Sequence, residues 1–187
     1  ADSVGSSMVL HCDVTDDASV EAAASRVDHL DVLVNNAGIS GGFTPVGETT
    51  AADLLRVYDT NVFGVVRVTH AFLPLLEQST APVVVNVSSG MGSLGVTTDP
   101  NRFESTLIGL AYSSSKTAVN MLTTQYAKAY PRMRINAVDP GYTSTDLNGH
   151  RGTQSVEEGT DAIVRMATIG PDGPTGAFVD RHGPVAW

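Results

Sequence analysis

The sequence predicts a single α/β domain built on a mostly parallel sheet. Three observations predict it. Short apolar runs recur at residues 31–35, 83–87 and 133–138, each followed by polar residues. Between them lie stretches with apolar residues at helical spacing, long enough for crossover helices. The 187 residues are 42% hydrophobic and 17% charged, enough for one core, with no repeat, low-complexity tract or linker.

Taken in order, Met8-Val9-Leu10-His11-Cys12 is a short apolar run closed by Asp13 and is expected to be a strand. Thr15, Asp16 and Asp17 supply cap and first-turn acid for a helix with the stripe Val20, Ala23, Ala24 and Val27. The run 31–35 is apolar on both faces, as in a parallel strand covered by helices, and completes a βαβ unit. Asn36-Ala37-Gly38 leads into a loop bearing Gly41, Gly42, Pro45 and Gly47. Thr50-Ala51-Ala52-Asp53 has the capping-box form. The helix it opens carries Leu54, Val57, Val65, Val68 and Phe72 on one face, to a kink or stop at Pro74. Asn61 falls on that stripe, where its carboxamide must either bond neighbouring backbone or anchor something polar.

The run 83–87 ends in Ser88-Ser89. Gly90-Met91-Gly92-Ser93-Leu94-Gly95 then matches G-x-G-x-x-G. A phosphate-binding turn of that form needs a helix opening at its third glycine. Thr97, Thr98, Asp99 and Pro100 follow instead, no helix is expected there, and the match is set aside. Residues 96–110 form an irregular connection with Arg102 and Glu104. A helix carrying Tyr112-Ser113-Ser114-Ser115-Lys116 runs to the residue before Pro131. A strand at 133–138 delivers the loop Asp139-Pro140-Gly141-Tyr142-Thr143-Ser144-Thr145-Asp146. Ser155-Val156-Glu157-Glu158 is a second capping box, opening a helix with Ala162, Ile163, Met166 and Ala167 inward. A last short strand is expected at Ala177-Phe178-Val179.

Composition narrows the function classes. A net charge of −9 argues against a nucleic-acid or anionic-membrane surface, which needs a basic face. No apolar run is long enough to span a bilayer, and the opening Ala1-Asp2-Ser3-Val4 is not a signal peptide. The single Cys12 fits a reducing, cytoplasmic compartment. His11, His29, His70, His150 and His182 are scattered, so no metal site is expected.

Tyr112 and Lys116 fall one turn apart on one helix face. A phenol beside an ammonium is a usable proton donor. An unperturbed phenol titrates near pH ~10, and bringing it to neutrality takes roughly 4 kcal/mol. A nearby positive charge supplies part of that. The singled-out polar groups also share a location: strand ends, or the helix facing them, where open α/β sheets bind ligands.

Asn35-Asn36-Ala37-Gly38 after a strand, Asn61 in the next helix, Ser88-Ser89 after the following strand, Tyr112-x-x-x-Lys116 and Pro140-Gly141 come in a recognisable order. Over nearly its whole length the chain resembles the short-chain dehydrogenase/reductase family, and within it the carbonyl-reductase-like members. The resemblance implies a Rossmann-type, doubly wound sheet and an oxidoreductase that interconverts a carbonyl and an alcohol by hydride transfer. It implies NAD(P), with a lean to NADP(H). Tyr112 would be the general acid and base, Lys116 would lower its pKa and hold the nicotinamide ribose, and Ser89 would bond the substrate oxygen. Asn61 would hold a water linking Lys116 to solvent, and Ser88 would be structural. Asn35, Ala37 and Gly38 would line the cofactor, and Asp13 and Val14 would touch the adenine. The backbone at Pro140 and Gly141, with Thr143 and Thr145, would hold the nicotinamide carboxamide and a phosphate. The substrate would be a medium-sized, partly apolar carbonyl compound, walled by residues 40–43, 91–94 and 142–154. The resemblance also implies that the two long helices, here roughly 51–73 and 111–130, would pack as a dimer's four-helix face unless the insertion before Tyr112 blocks it, which leaves dimer or tetramer open.

One family feature is absent from the sequence. The glycine-rich turn T-G-x-x-x-G-x-G that opens the first strand has no counterpart, and residues 1–14 resemble the end of a helix and the family's third strand. The chain is therefore expected to be the C-terminal three-quarters of a longer domain. Two other readings stand beside the leading one: a catalytically silent scaffold of the same family, and a sugar-nucleotide epimerase or dehydratase, which shares Tyr-x-x-x-Lys.

Overall fold

A computed structural model of the chain describes residues 8–42 and 44–187. The element order is α1 (Asp17–Ala24), β1 (Val32–Asn35), α2 (Ala51–Tyr58), a π-helical turn (Asp59–Phe63), α3 (Gly64–Gln78), β2 (Val83–Val87), the short α4 (Leu94–Thr97), α5 (Leu110–Ala129), β3 (Arg134–Val138), α6 (Val156–Ala167), β4 (Phe178–Asp180) and β5 (Gly183–Pro184). The strands lie side by side in chain order. All neighbours are parallel except β5, which folds back antiparallel on β4.

Two apolar layers fix the sheet between its helices. Leu33, Val84 and Ile135 point to the side where Leu76 of α3 and Ala127 of α5 close over them. Val83, Val85 and Val138 point the other way, onto Ala162 and Met166 of α6. Burying one such side chain stabilises by about 1.5–3 kcal/mol, so these valines hold β2 and β3 as the inflexible centre. The carboxyl ends of β2 and β3 are thereby fixed, and the loops they deliver inherit that rigidity.

The helix ends follow their capping chemistry. Asp16 caps α1 through the amide of Ala18, and reciprocal capping boxes at Thr50/Asp53 and Ser155/Glu158 open α2 and α6. The five-residue π turn between α2 and α3 is where Asn61 sits.

Several expectations need correction. Met8 to Cys12 form no strand; Met8 and Val9 are largely exposed, and no strand lies beside them to complete a ladder among the described residues. The helix end expected near the start falls partly on residues 1–7, which lie outside the described residues. The strand β1 is covered on one face only: Leu33 and Asn35 are buried, while Val32 and Val34 are 37% and 38% exposed. Pro74 neither stops nor opens the helix, which continues to Gln78. It is exposed, so its missing amide leaves an unpaired carbonyl within reach of water. The discontinuity comes earlier, at the π turn. Ser93 caps a four-residue helix, α4, inside the G-x-G-x-x-G match, where none was expected. The hairpin partner β5 was also not foreseen.

Candidate active site

The carboxyl ends of β1, β2 and β3 open into a cleft of about 540 Å³. Ser89 stands at the end of β2, where it caps a turn of 3-10 helix by accepting the amide of Met91 at 3.2 Å. From the first turn of α5, Tyr112 projects into the same cleft, and one turn on lies Lys116. The Ser89 hydroxyl lies near the Tyr112 phenol in the cleft, close enough to favour its ionised form. Lys116 Nζ lies 5.7 Å from the centroid of the Tyr112 ring and donates to the Val87 carbonyl at 2.8 Å.

The electrostatics of these groups run opposite to a simple ion pair. Burial pushes the Tyr112 phenol up to about 12, the Ser89 hydroxyl pulls it down in part, and the Asp139 carboxylate raises it again. Water reaching Tyr112 through the cleft tempers this push. Burial brings the Lys116 ammonium down to about 8, with Asp139 opposing. In the chain alone desolvation is the largest influence on the phenol, and the net shift is upward.

Asn61 braces this arrangement. Its Oδ1 accepts the Ile39 amide at 2.8 Å, and its Nδ2 donates to the Ile39 carbonyl at 2.9 Å and to Ser115 Oγ at 3.0 Å. The Ser115 hydroxyl donates in turn to the Tyr112 carbonyl at 2.7 Å. The loop after β1, the π turn and α5 are thereby tied together between Tyr112 and Lys116. Ser88, buried at the floor of the cleft, donates to Asn120 Oδ1 at 2.6 Å.

The comparisons with known proteins follow this geometry. The family model described as short chain dehydrogenase matches residues 2–155. The chain belongs to the short-chain dehydrogenase family. It is 39% identical over 184 residues to the short-chain dehydrogenase anuI of Penicillium roqueforti, covering 92% of this chain and 73% of that protein. It is 31% identical over 254 residues to (-)-isopiperitenone reductase of Mentha piperita, covering 96% and 81%. Among solved structures, NADPH-bound carbonyl reductase from chicken fatty liver superposes with a TM-score of 0.83 at 28% identity, covering 96% of this chain and 77% of that one. The chain is accordingly an oxidoreductase of the CH-OH/C=O class, using NAD(P), on a Rossmann-like sheet.

Within this short-chain dehydrogenase the expected site residues divide. Gly38, Ser89, Tyr112, Lys116, Pro140, Gly141, Thr143 and Thr145 all line the one cleft. Asn35 does not: its carboxamide turns inward, donating to Thr69 Oγ1 at 3.1 Å and to Asn86 Oδ1 at 2.8 Å. Ala37 is exposed beside the cleft. Asp13 is exposed and its carboxylate accepts the Thr15 amide and hydroxyl. Val14 packs against Gly64, and its carbonyl accepts from Arg67. Of the expected substrate walls, Met91, Tyr142 and Leu147 line the cleft, and Phe43 lies outside the described residues. The set-aside glycines have packing roles. A Cβ on Gly92 would lie 2.7 Å from Lys116 backbone carbon, and one on Gly95 would lie 2.9 Å from Ala186. Two residues at the site were not anticipated, Ser115 and Asp139. The signal for Asp139 was present: a carboxylate directly after an apolar strand and before Pro140 must find amides or a proton. No cluster of metal-ligating side chains occurs among the described residues, nor any helix long and apolar enough to cross a membrane.

Proposed function

We propose that this chain reduces a carbonyl compound to an alcohol, and runs the reverse oxidation, with Tyr112 as general acid and base. The observation that carries the reading is the convergence of the Ser89 hydroxyl, the Tyr112 phenol and the Lys116 amine in one cleft at the carboxyl edge of the sheet. The residues present suit the nicotinamide end of the cofactor. Gly38 leaves open the approach to Lys116 Nζ and Asn61 Oδ1, each 3.5 Å from where its Cβ would stand. When bound, a reduced nicotinamide supplies the hydride. Ser89 donates a hydrogen bond to the carbonyl oxygen as negative charge develops there. Tyr112 delivers the proton to that oxygen, and an adjacent cationic ring would favour the resulting phenolate. Lys116, poised near neutrality at about 8, returns the proton to the phenol and holds the ribose. Asn61 keeps α5 at its distance from the loop after β1, and a water on its main chain would link Lys116 to solvent.

The preference for NADP(H) rests on likeness to a carbonyl reductase solved with NADPH. Thr143 and Thr145 would face the nicotinamide carboxamide and a phosphate, and Asp13 and Val14 the adenine. The substrate is taken to be a medium-sized, partly apolar ketone or aldehyde, since Met91, Leu107, Tyr142 and Leu147 line the cleft beside Ser89. Titration of NADPH and then NADH, followed by nicotinamide fluorescence, tests the first step. A panel of cyclic ketones and aromatic aldehydes, with Tyr112→Phe as control, tests the second. Saturable binding with turnover lost in the variant supports the reading. Binding of neither nucleotide, or turnover unchanged in Tyr112→Phe, would sink it.

A further inference from the structure

Asp139 sits at the carboxyl end of β3, 6% exposed, with no lysine or arginine paired to it by a salt bridge among the described residues. Its surroundings come from two different loops. Gly141 donates to Oδ1 at 2.9 Å, and the Gly90 backbone, in the turn that follows Ser89, lies against Oδ2 and lowers the carboxyl pKa. The approach at Gly90 is close: a Cβ there would stand 2.9 Å from Asp139 Oδ2 and 3.0 Å from Glu104 Oε1. Only glycine lets both carboxylates reach that point. Glu104 comes from the connection between α4 and α5 and is itself paired with Arg102 at 3.3 Å.

We propose that Asp139 is a positioning residue of the site: its buried carboxylate fastens the Ser89–Gly90 turn to the Pro140–Gly141 loop and sets the charge felt by Tyr112 and Lys116. The roles of Ser89 and Tyr112 in it rest on the reading above. The physical argument has two parts. First, one carboxylate spanning two strand-end loops fixes the separation between the Ser89 hydroxyl and the opposite wall of the cleft, and charge-assisted bonds to amides are about twice as strong as neutral ones. Second, charged and titratable groups from three parts of the chain are coupled to Asp139. Glu104 and Arg102 come from the connecting segment, Asp180 from β4, and Tyr112 and Lys116 from α5. Burial raises the Asp139 carboxyl, the two amides lower it, and Glu104 and Asp180 raise it again. Its negative charge in turn favours protonated Lys116 and protonated Tyr112. A change of charge at Asp139 therefore reaches the proton donor and its relay together.

The test is nuclear magnetic resonance on the full chain, which needs neither cofactor nor substrate. Lys116 and Lys128 are the only lysines, so the Lys116 side-chain carbon resonance is assigned by difference. In Asp139→Asn the Lys116 titration is expected to move to lower pH, a change that a merely structural role would not produce. In the unsubstituted protein the Gly90 and Gly141 amide protons are expected to titrate together with one midpoint. In Glu104→Gln that shared midpoint is expected to fall, which keeps the test alive if Asp139→Asn does not fold. Separate midpoints for the two glycines, an unmoved Lys116 midpoint in Asp139→Asn, or an unmoved glycine midpoint in Glu104→Gln would overturn the proposal. Absence of turnover in the unsubstituted protein would count against the oxidoreductase reading and leave these three readouts to decide this one.

Discussion

Lys116 Nζ lies 5.7 Å from the Tyr112 ring centroid, yet its hydrogen bond goes to the Val87 carbonyl, at 2.8 Å. The amine is held at the end of β2, in reach of the phenol but not bonded to it. A lysine so placed is buried, and desolvation brings its ammonium down to about 8.

Tyr112→Phe removes the proton donor while keeping the ring. Turnover is expected to fall by about 100-fold or more, the scale of a lost general acid. Nucleotide affinity is expected to stay within about twofold, since the phenol makes no bond that positions the cleft walls beyond Ser89. Steady-state kinetics beside fluorescence titration checks both.

Lys116 carries a stability cost with a defined sign. Its folded pKa is lowered to about 8 from 10.5, so the unfolded chain holds the proton more tightly. Between about 8 and 10.5 its contribution to stability therefore rises with pH, and below about 8 the folded chain bears the whole cost, about 3 kcal/mol. Lys116→Met is expected to stabilise at pH 7 by about 1–2 kcal/mol after losing the Val87 bond. The gap between variant and unsubstituted protein should narrow by pH 10. Urea unfolding at the two pH values reads the sign directly.

Gly92 marks where α5 crosses the turn after β2. A methyl there would meet the Lys116 backbone at 2.7 Å, an approach no side chain rotation relieves. Gly92→Ala is expected to cost about 1–3 kcal/mol by overpacking, and to reduce turnover by displacing Lys116. Chemical denaturation and kinetics of the same variant distinguish this from a phosphate-binding glycine, whose loss would act on nucleotide affinity alone.

Asn61→Ala leaves the Ile39 amide and carbonyl and Ser115 Oγ without their partner. A cost of about 2–4 kcal/mol is expected, at least one unsatisfied group plus a cavity. Hydrogen exchange at Ile39, measured beside the global unfolding free energy, should show local loosening in excess of the global loss. Equal changes at both would contradict the brace.

Much of this was legible before the structure. The strands β2 and β3 announce themselves as short, mostly apolar runs that end in polar residues, and the caps at Thr50 and Ser155 carry their own partners three residues on. Tyr112 and Lys116 could be placed on one face because a continuous helix fixes their spacing. What could not be read depends on contacts between distant segments. In the π turn the Asn61 carboxamide reaches Ile39 and Ser115 together, and neither is near it in sequence. Asn35 sits in a motif that suggests the cofactor, but the hydroxyl of Thr69 and the carboxamide of Asn86 draw it inward. The spacing of Tyr112 and Lys116 reports a neighbouring charge and says nothing of the desolvation that raises the phenol in the chain alone.

The inward turn of Asn35 has a further consequence. Asn35 lies opposite Asn86 across β1 and β2; it donates to Asn86, which donates in turn to Thr123 at 2.9 Å. A slip of β1 by one residue would bring Val34 opposite Asn86 and leave a buried amide oxygen unmet, a penalty of about 1–3 kcal/mol. The same slip would carry Leu33 out of the core and Val34 into it. Valine pairs alone would tolerate that error, since one valine packs much as another does. The three-residue amide relay thus acts as an alignment check on strand assembly, discriminating against mis-threaded sheets that hydrophobic burial would accept.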